Sequence, residues 1–199
     1  MTAASAAQDR HDDAVRDTAR VAVSAALIVA LTLVPGLYLF GGAVPITLQT
    51  LGITLAATML GPWRGAAAVL TYLALIAVGL PVATGFRGGL GVFAGPTGGF
   101  LVGFVPMVLL VGLLARLALS RLHGTALTLG LFAAAVAGLP VLYAVGVPWL
   151  AAVAGMPLQT AAASVAVFLP GDLAKAAVAA VVSAAVVRAL PGVVRRVRS

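Results

Sequence analysis

Cysteine and glutamate are absent from this sequence, and lysine occurs once, at Lys175. Without cysteine there are no disulfides, no thiolate nucleophile and no thiolate metal site. Acids are nearly as scarce. Four of the five aspartates precede residue 18, and Asp172 stands alone far down the chain. No His, Asp and Glu cluster offers a metal-ligand set. No Ser-His pair falls within a span, and His123 has no acidic or histidine neighbour, so neither a Ser-His nucleophile nor metal-assisted hydrolysis is encoded, and no catalytic residues are assigned. A Gly-Lys-Ser/Thr phosphate loop is also missing.

Charge itself is in short supply. Charged residues make up 9% of the chain and hydrophobic ones 62%, with a mean hydropathy of +1.16. A soluble domain carries about 25% charged residues, so the composition is that of an integral membrane protein. The uncharged runs 21–63 and 122–171 favour helices over a barrel, whose strands would alternate apolar and polar positions. The net charge of +7 raises nucleic acid as a partner. Most arginines, however, lie near predicted helix ends or in the tails, where they set membrane topology, so no nucleic acid is expected.

In order, residues 1–18 read as a polar tail. Helix 1 is predicted over about 19–34, helix 2 from Pro45 to about Leu60, and helix 3 over about 65–79, after a turn at Gly61-Pro-Trp-Arg64. Helix 4 is predicted over 99–118, with Gly99 and Gly103 as a close-packing pair. Helix 5 follows over 125–147, with a bend at Pro140, and helix 6 over 170–190. Residues 148–169 are long enough to span, but Gly155, Pro157, Gln159 and Thr160 interrupt them. Charge decides the count. With six spans, both tails and the turns at Arg64 and Arg116/Arg121 fall on one side, which collects ten of the twelve basic residues. The positive-inside rule then makes that side cytoplasmic. The reading is a six-helix membrane domain over 19–190, with a polar cytoplasmic tail (1–18) and a basic one (191–199). Residues 148–169 become an irregular or partly helical outer segment.

That topology gathers the unusual residues at the outer face. Asp172 and Lys175 sit three apart after the Pro170-Gly171 break, on one helical face and near a helix start, where the dipole favours an anion. Arg87 is the one charge in the Gly-rich stretch 84–99. Thr47, Gln49 and Thr50 open helix 2; threonine hydroxyls often bond their own helix, whereas an amide wants several partners. The six residues Gly89 to Ala94 fit the dinucleotide fingerprint formally, but no strand–helix unit or following acid accompanies them. An Asp172–Lys175 ion pair alone would be a stitch holding the bundle. With Arg87 and Gln49 on the same side, the charges sum to +1, which suits a small amphipathic monoanion. Ala22, Ala26 and Ala30 form a small-residue stripe on helix 1, whose spacing alone favours packing inside the bundle.

Five motifs extend this reading: Val44-Pro-Ile-Thr-Leu-Gln-Thr-Leu-Gly52, Gly79-Leu-Pro-Val82, Arg87-Gly-Gly-Leu-Gly91, Gly95-Pro-Thr-Gly-Gly99 and Phe168-Leu-Pro-Gly-Asp-Leu-Ala-Lys175. In this order and spacing the chain resembles the BioY family, the biotin-binding S components of energy-coupling factor (ECF) transporters, from about Ala19 to Leu190. The resemblance implies an S-component-like bundle in the bacterial cell membrane that captures biotin from outside. It also implies docking onto a transmembrane coupling subunit (the T subunit) driven by two ABC-type ATPase subunits, without a cofactor or an ATPase site of its own. Under it, Asp172, Lys175, Arg87, Gln49, Thr47, Tyr72 and Thr97 become ligand-binding candidates. The Ala22, Ala26 and Ala30 stripe becomes a docking face, and the helix 1–2 loop and Gly-rich loop are expected to close over the ligand. The residues by themselves leave open an S component for another vitamin, a transporter working alone, or a non-transporting scaffold.

Overall fold

A single glycine reverses the chain in the middle of its second helix. In the computed structural model, which describes residues 3–36 and 47–189, α2 covers Gln49–Ala77 but breaks at Gly61, whose φ of 78° and ψ of −173° are not helical. Pro62 follows, with its φ already suited to a helix start. The two arms fold back on each other. Gln49 and Tyr72 would lie about 35 Å apart along a straight helix, yet their side chains hydrogen-bond at 2.9 Å. Gly65 lets the arms touch, since a Cβ there would lie 3.2 Å from the Ala57 Cα. The expected turn at residues 61–64 is therefore present, and α2 supplies two of the six long helical segments.

The others are α1 (Ala3–Leu33), α4 (Gly98–Arg121), α5 (Gly124–Ala154) and α7 (Leu169–Ala189). Two short helices, α3 (Gly91–Ala94) and α6 (Leu158–Ala166), complete the described elements. Among the described residues, four helices are long and apolar enough to cross a membrane: the α2 pair taken together, α4, α5 and α7. At nine residues α6 is about 14 Å long, half of the ~30 Å hydrocarbon core. That agrees with six long segments rather than seven and with a partly helical segment before the last helix.

Three boundaries differ from expectation. Helix α1 begins at Ala3 rather than near Ala19, because the polar stretch holds i,i+3 ion pairs, Asp13–Arg16 at 4.0 Å and Asp17–Arg20 at 3.4 Å, which support a helix. Helix α5 continues through Pro140 and Pro148 to Ala154 and stops at left-handed Gly155. Helix α3 adds a turn inside the Gly-rich stretch. The helix 1–2 loop over residues 37–46, expected to close over the ligand, and the tail over 190–199 lie outside the described residues.

The core is built from small residues and aliphatics. Gly112 of α4 sits against the Gly61-Pro62 turn, where a Cβ would come within 2.5 Å of the Pro62 nitrogen. Gly103 meets Leu142 and Val145 of α5, and Gly99 meets Trp149, so both close-packing glycines lie on the α4–α5 seam. On α1, Ala25, Ile28 and Thr32 are buried, with Ile28 against Gly52 of α2. Ala22, Ala26 and Ala30 are exposed on another face, so the packing inside the bundle that spacing favoured is not what this stripe does. At the opposite end from the site described next, Arg64 contacts Asp17 at 2.7 Å and ties the α2 turn to α1.

Candidate functional site

The Asp172 carboxylate is the electrostatic centre of the site. Its backbone lies in the first turn of α7, and the side chain is 6% exposed, so desolvation must be offset by hydrogen bonds and a counter-charge. Three side chains supply them. Lys175 Nζ donates to Oδ1 at 2.8 Å, Thr50 Oγ1 donates to Oδ1 at 3.2 Å, and Tyr143 Oη donates to Oδ2 at 2.5 Å. These partners come from α7, α2 and α5. The acid therefore fixes where three helices meet as well as presenting charge.

Beside it opens a cavity whose lining sets a few polar groups among apolar walls, as small-molecule sites do. Phe100, Leu101, Phe104, Leu142 and Phe168 make apolar walls, while Thr47, Gln49, Thr84, Arg87, Thr97, Asp172 and Lys175 place polar atoms among them. Elements distant in sequence converge here: the start of α2, the Gly-rich loop, α4, α5 and α7. Six of the seven sequence-predicted ligand residues line this cavity.

Tyr72 is the exception. It is fully buried and stands behind the wall, where its hydroxyl accepts the Gln49 Nε2–H at 2.9 Å. It positions the Gln49 amide rather than facing the cavity. Thr47 turns inward at the start of α2, with its Oγ1 accepting from the Gln49 backbone N–H at 3.3 Å. Thr97 is the N-cap residue of α4. Arg87 is exposed on the rim, where its Nε donates to the Thr84 carbonyl at 3.3 Å. Among the described residues it has no carboxylate partner, whereas Lys175 is already paired. The site thus combines a neutral ion pair inside with a positive rim.

Sequence reasoning missed Tyr143 and the role of Thr50. Tyr143 carried a signal, since a hydroxyl inside an apolar helix must find a partner. The phenyl walls carried none, because apolar side chains are everywhere in such a chain.

The BioY family profile matches residues 2–192. The chain belongs to the BioY family. Among its relatives, "Biotin transporter BioY" of Rhizobium etli is 46% identical over 178 residues, covering 88% of this chain and 95% of that protein. The protein of the same description from Rhodobacter capsulatus is 44% identical over 189 residues, with the same two coverages. A crystal structure described as the S-component for biotin from an ECF-type ABC transporter superposes with a TM-score of 0.80 at 31% identity, covering 89% of this chain and 93% of that one. This BioY-family chain is accordingly a multi-pass membrane protein of the S-component type. Four of the five motifs that carry the family resemblance contribute residues to the cavity lining, beside residues of α4 and α5 that no motif contains.

Proposed function

We propose that this chain is the membrane subunit that captures biotin from the outer side and delivers it to an ECF coupling subunit driven by two ATPase subunits. The observation that carries the reading is the buried Asp172 carboxylate, held by Lys175, Thr50 and Tyr143 at the wall of an otherwise apolar cavity. Biotin matches it chemically. Its ureido ring offers two N–H donors and a carbonyl, its thioether ring is apolar, and its side chain ends in a carboxylate. Asp172 accepts a ureido N–H, a charge-assisted bond in a water-poor site. Lys175, bound to the same carboxylate, stays at the ureido end. Arg87, on the rim with no carboxylate partner among the described residues, takes the ligand carboxylate. The phenyl rings of Phe100, Phe104 and Phe168 cover the sulfur ring and alkyl chain.

Sidedness follows from charge: with both tails inside, the cavity faces out. The exposed stripe of Ala22, Ala26 and Ala30 on α1 supports a docking face, since small residues let another helix approach closely. ATP hydrolysis then belongs to the partners. Biotin binding to the purified protein, compared between wild type and Asp172→Asn, tests the reading. A wild type that binds thiamine or riboflavin in a thermal-shift panel, but not biotin, overturns it. Uptake in cells lacking coupling and ATPase subunits would overturn the docking half alone.

A further inference from the structure

Trp149 is one of two tryptophans in the chain and lies outside the cavity lining, on the part of α5 that faces the start of α4. Three contacts follow one another along this stretch. Tyr143 bonds Asp172. Gly146 packs on Phe100, where a Cβ would come within 2.4 Å of the ring. Trp149 Nε1 donates to the Gly95 carbonyl at 3.0 Å. Positions 143, 146 and 149 share a helical face by their i,i+3 spacing. One face of α5 therefore supports the acid, an aromatic wall and the rim of the same cavity.

The rim contact is closely fitted. A Cβ on Gly99 would lie 2.2 Å from the Trp149 Cβ, and one on Gly98 would lie 3.0 Å from Nε1. Gly95 O also accepts the Gly98 N–H at 3.0 Å. The turn between them holds Thr97, which lines the cavity. The rest of the Gly-rich stretch is fastened to α2, by Gly89 N–H to the Ile76 carbonyl at 2.7 Å. The rim is thus held at two points, one on the α2 hairpin and one on α5.

We infer that Trp149 is a positioning residue that latches the Gly95–Gly99 turn at the cavity rim and so retains bound ligand. The inference deepens the biotin-binding reading and rests on it for its ligand. Trp149 does not contact ligand. Its side chain fills the space left by Gly99, and its N–H holds the carbonyl that begins the turn.

Trp149→Phe keeps a ring against Gly98 and Gly99 but removes the donor. A net hydrogen-bond contribution of ~0.5–1.5 kcal/mol corresponds to roughly a 2- to 12-fold effect. Biotin dissociation from Trp149→Phe should quicken by up to that factor, while association does not slow and the ligand-free protein loses no more stability than one hydrogen bond contributes. Unchanged dissociation, or a weakening that appears only as slower association, overturns the latch. A ligand-independent arm uses the absence of native cysteine. A spin label on Ala94→Cys, exposed beside Gly95, should become more mobile in Trp149→Phe without biotin. Unchanged mobility refutes the latch. Increased mobility in a protein whose wild type fails to bind biotin refutes the biotin reading and leaves the latch standing.

Discussion

Replacing Asp172 by Asn separates a stitch from a binding site, because it keeps the shape and removes the charge. The carboxylate is 6% exposed and accepts bonds from Lys175, Thr50 and Tyr143, and Lys175 is 12% exposed. Removing one member of a buried pair costs about 3–5 kcal/mol, mostly because the partner charge is left uncompensated. Asp172→Asn should therefore lower the melting temperature of the ligand-free protein, chiefly through the stranded Lys175. Losing a charge-assisted bond to the ligand subtracts a further ~1.5–3 kcal/mol from binding, about 10- to 150-fold in Kd. The double variant Asp172→Asn/Lys175→Met removes the stranded ammonium and should recover stability. It should not recover affinity. Isothermal titration calorimetry with biotin, alongside thermal melts of both variants, reads the two effects separately. If the double variant binds within threefold of wild type, Asp172 is a stitch and the proposed ligand contact is wrong.

Tyr143→Phe should leave the fold intact and weaken biotin about 2- to 12-fold in titration calorimetry, since it withdraws one hydrogen bond from Asp172. Gly61→Ala should cost about 1–3 kcal/mol and lower the melting temperature, because φ 78°, ψ −173° lies in a region essentially reserved for glycine. Ala26→Leu, on the exposed face of α1, should leave biotin affinity unchanged but abolish co-purification with the coupling subunit.

How much of this was legible in the sequence depended on contrast. In a chain with 9% charged residues, Asp172, Lys175 and Arg87 stand out, and the count of basic residues placed them on one face before any packing was known. Gly61-Pro62 announced the hairpin through local backbone chemistry. The Gly95–Gly99 motif was visible, but its reason was not: Gly98 is held small by the Phe93 carbonyl, and Gly99 by Trp149, fifty residues away in sequence. The same limit hid Tyr72, which looked like a cavity residue and is instead a support for Gln49. Polar residues announce that a partner exists without saying whether it is ligand or protein.

The α2 hairpin joins the two ends of the proposed work cycle. Its turn is anchored to α1 through Arg64 and Asp17, on the helix whose exposed alanines suit docking. Its first residues carry Gln49 and Thr50 into the cavity, with Thr50 bonded to Asp172. Between them, Thr58 of the first arm meets Ser183 of α7 through a buried hydroxyl pair at 2.8 Å. The first arm is thus tied to α7 at both levels by polar bonds, and in lipid such bonds have no water to replace them. With α2 and α7 bonded in this way, α1 can present its outer face without disturbing Asp172, the proposed ligand contact. Under the proposed function, capture and docking are then separable in the fold, and a substitution on the α1 face is expected to remove one and spare the other.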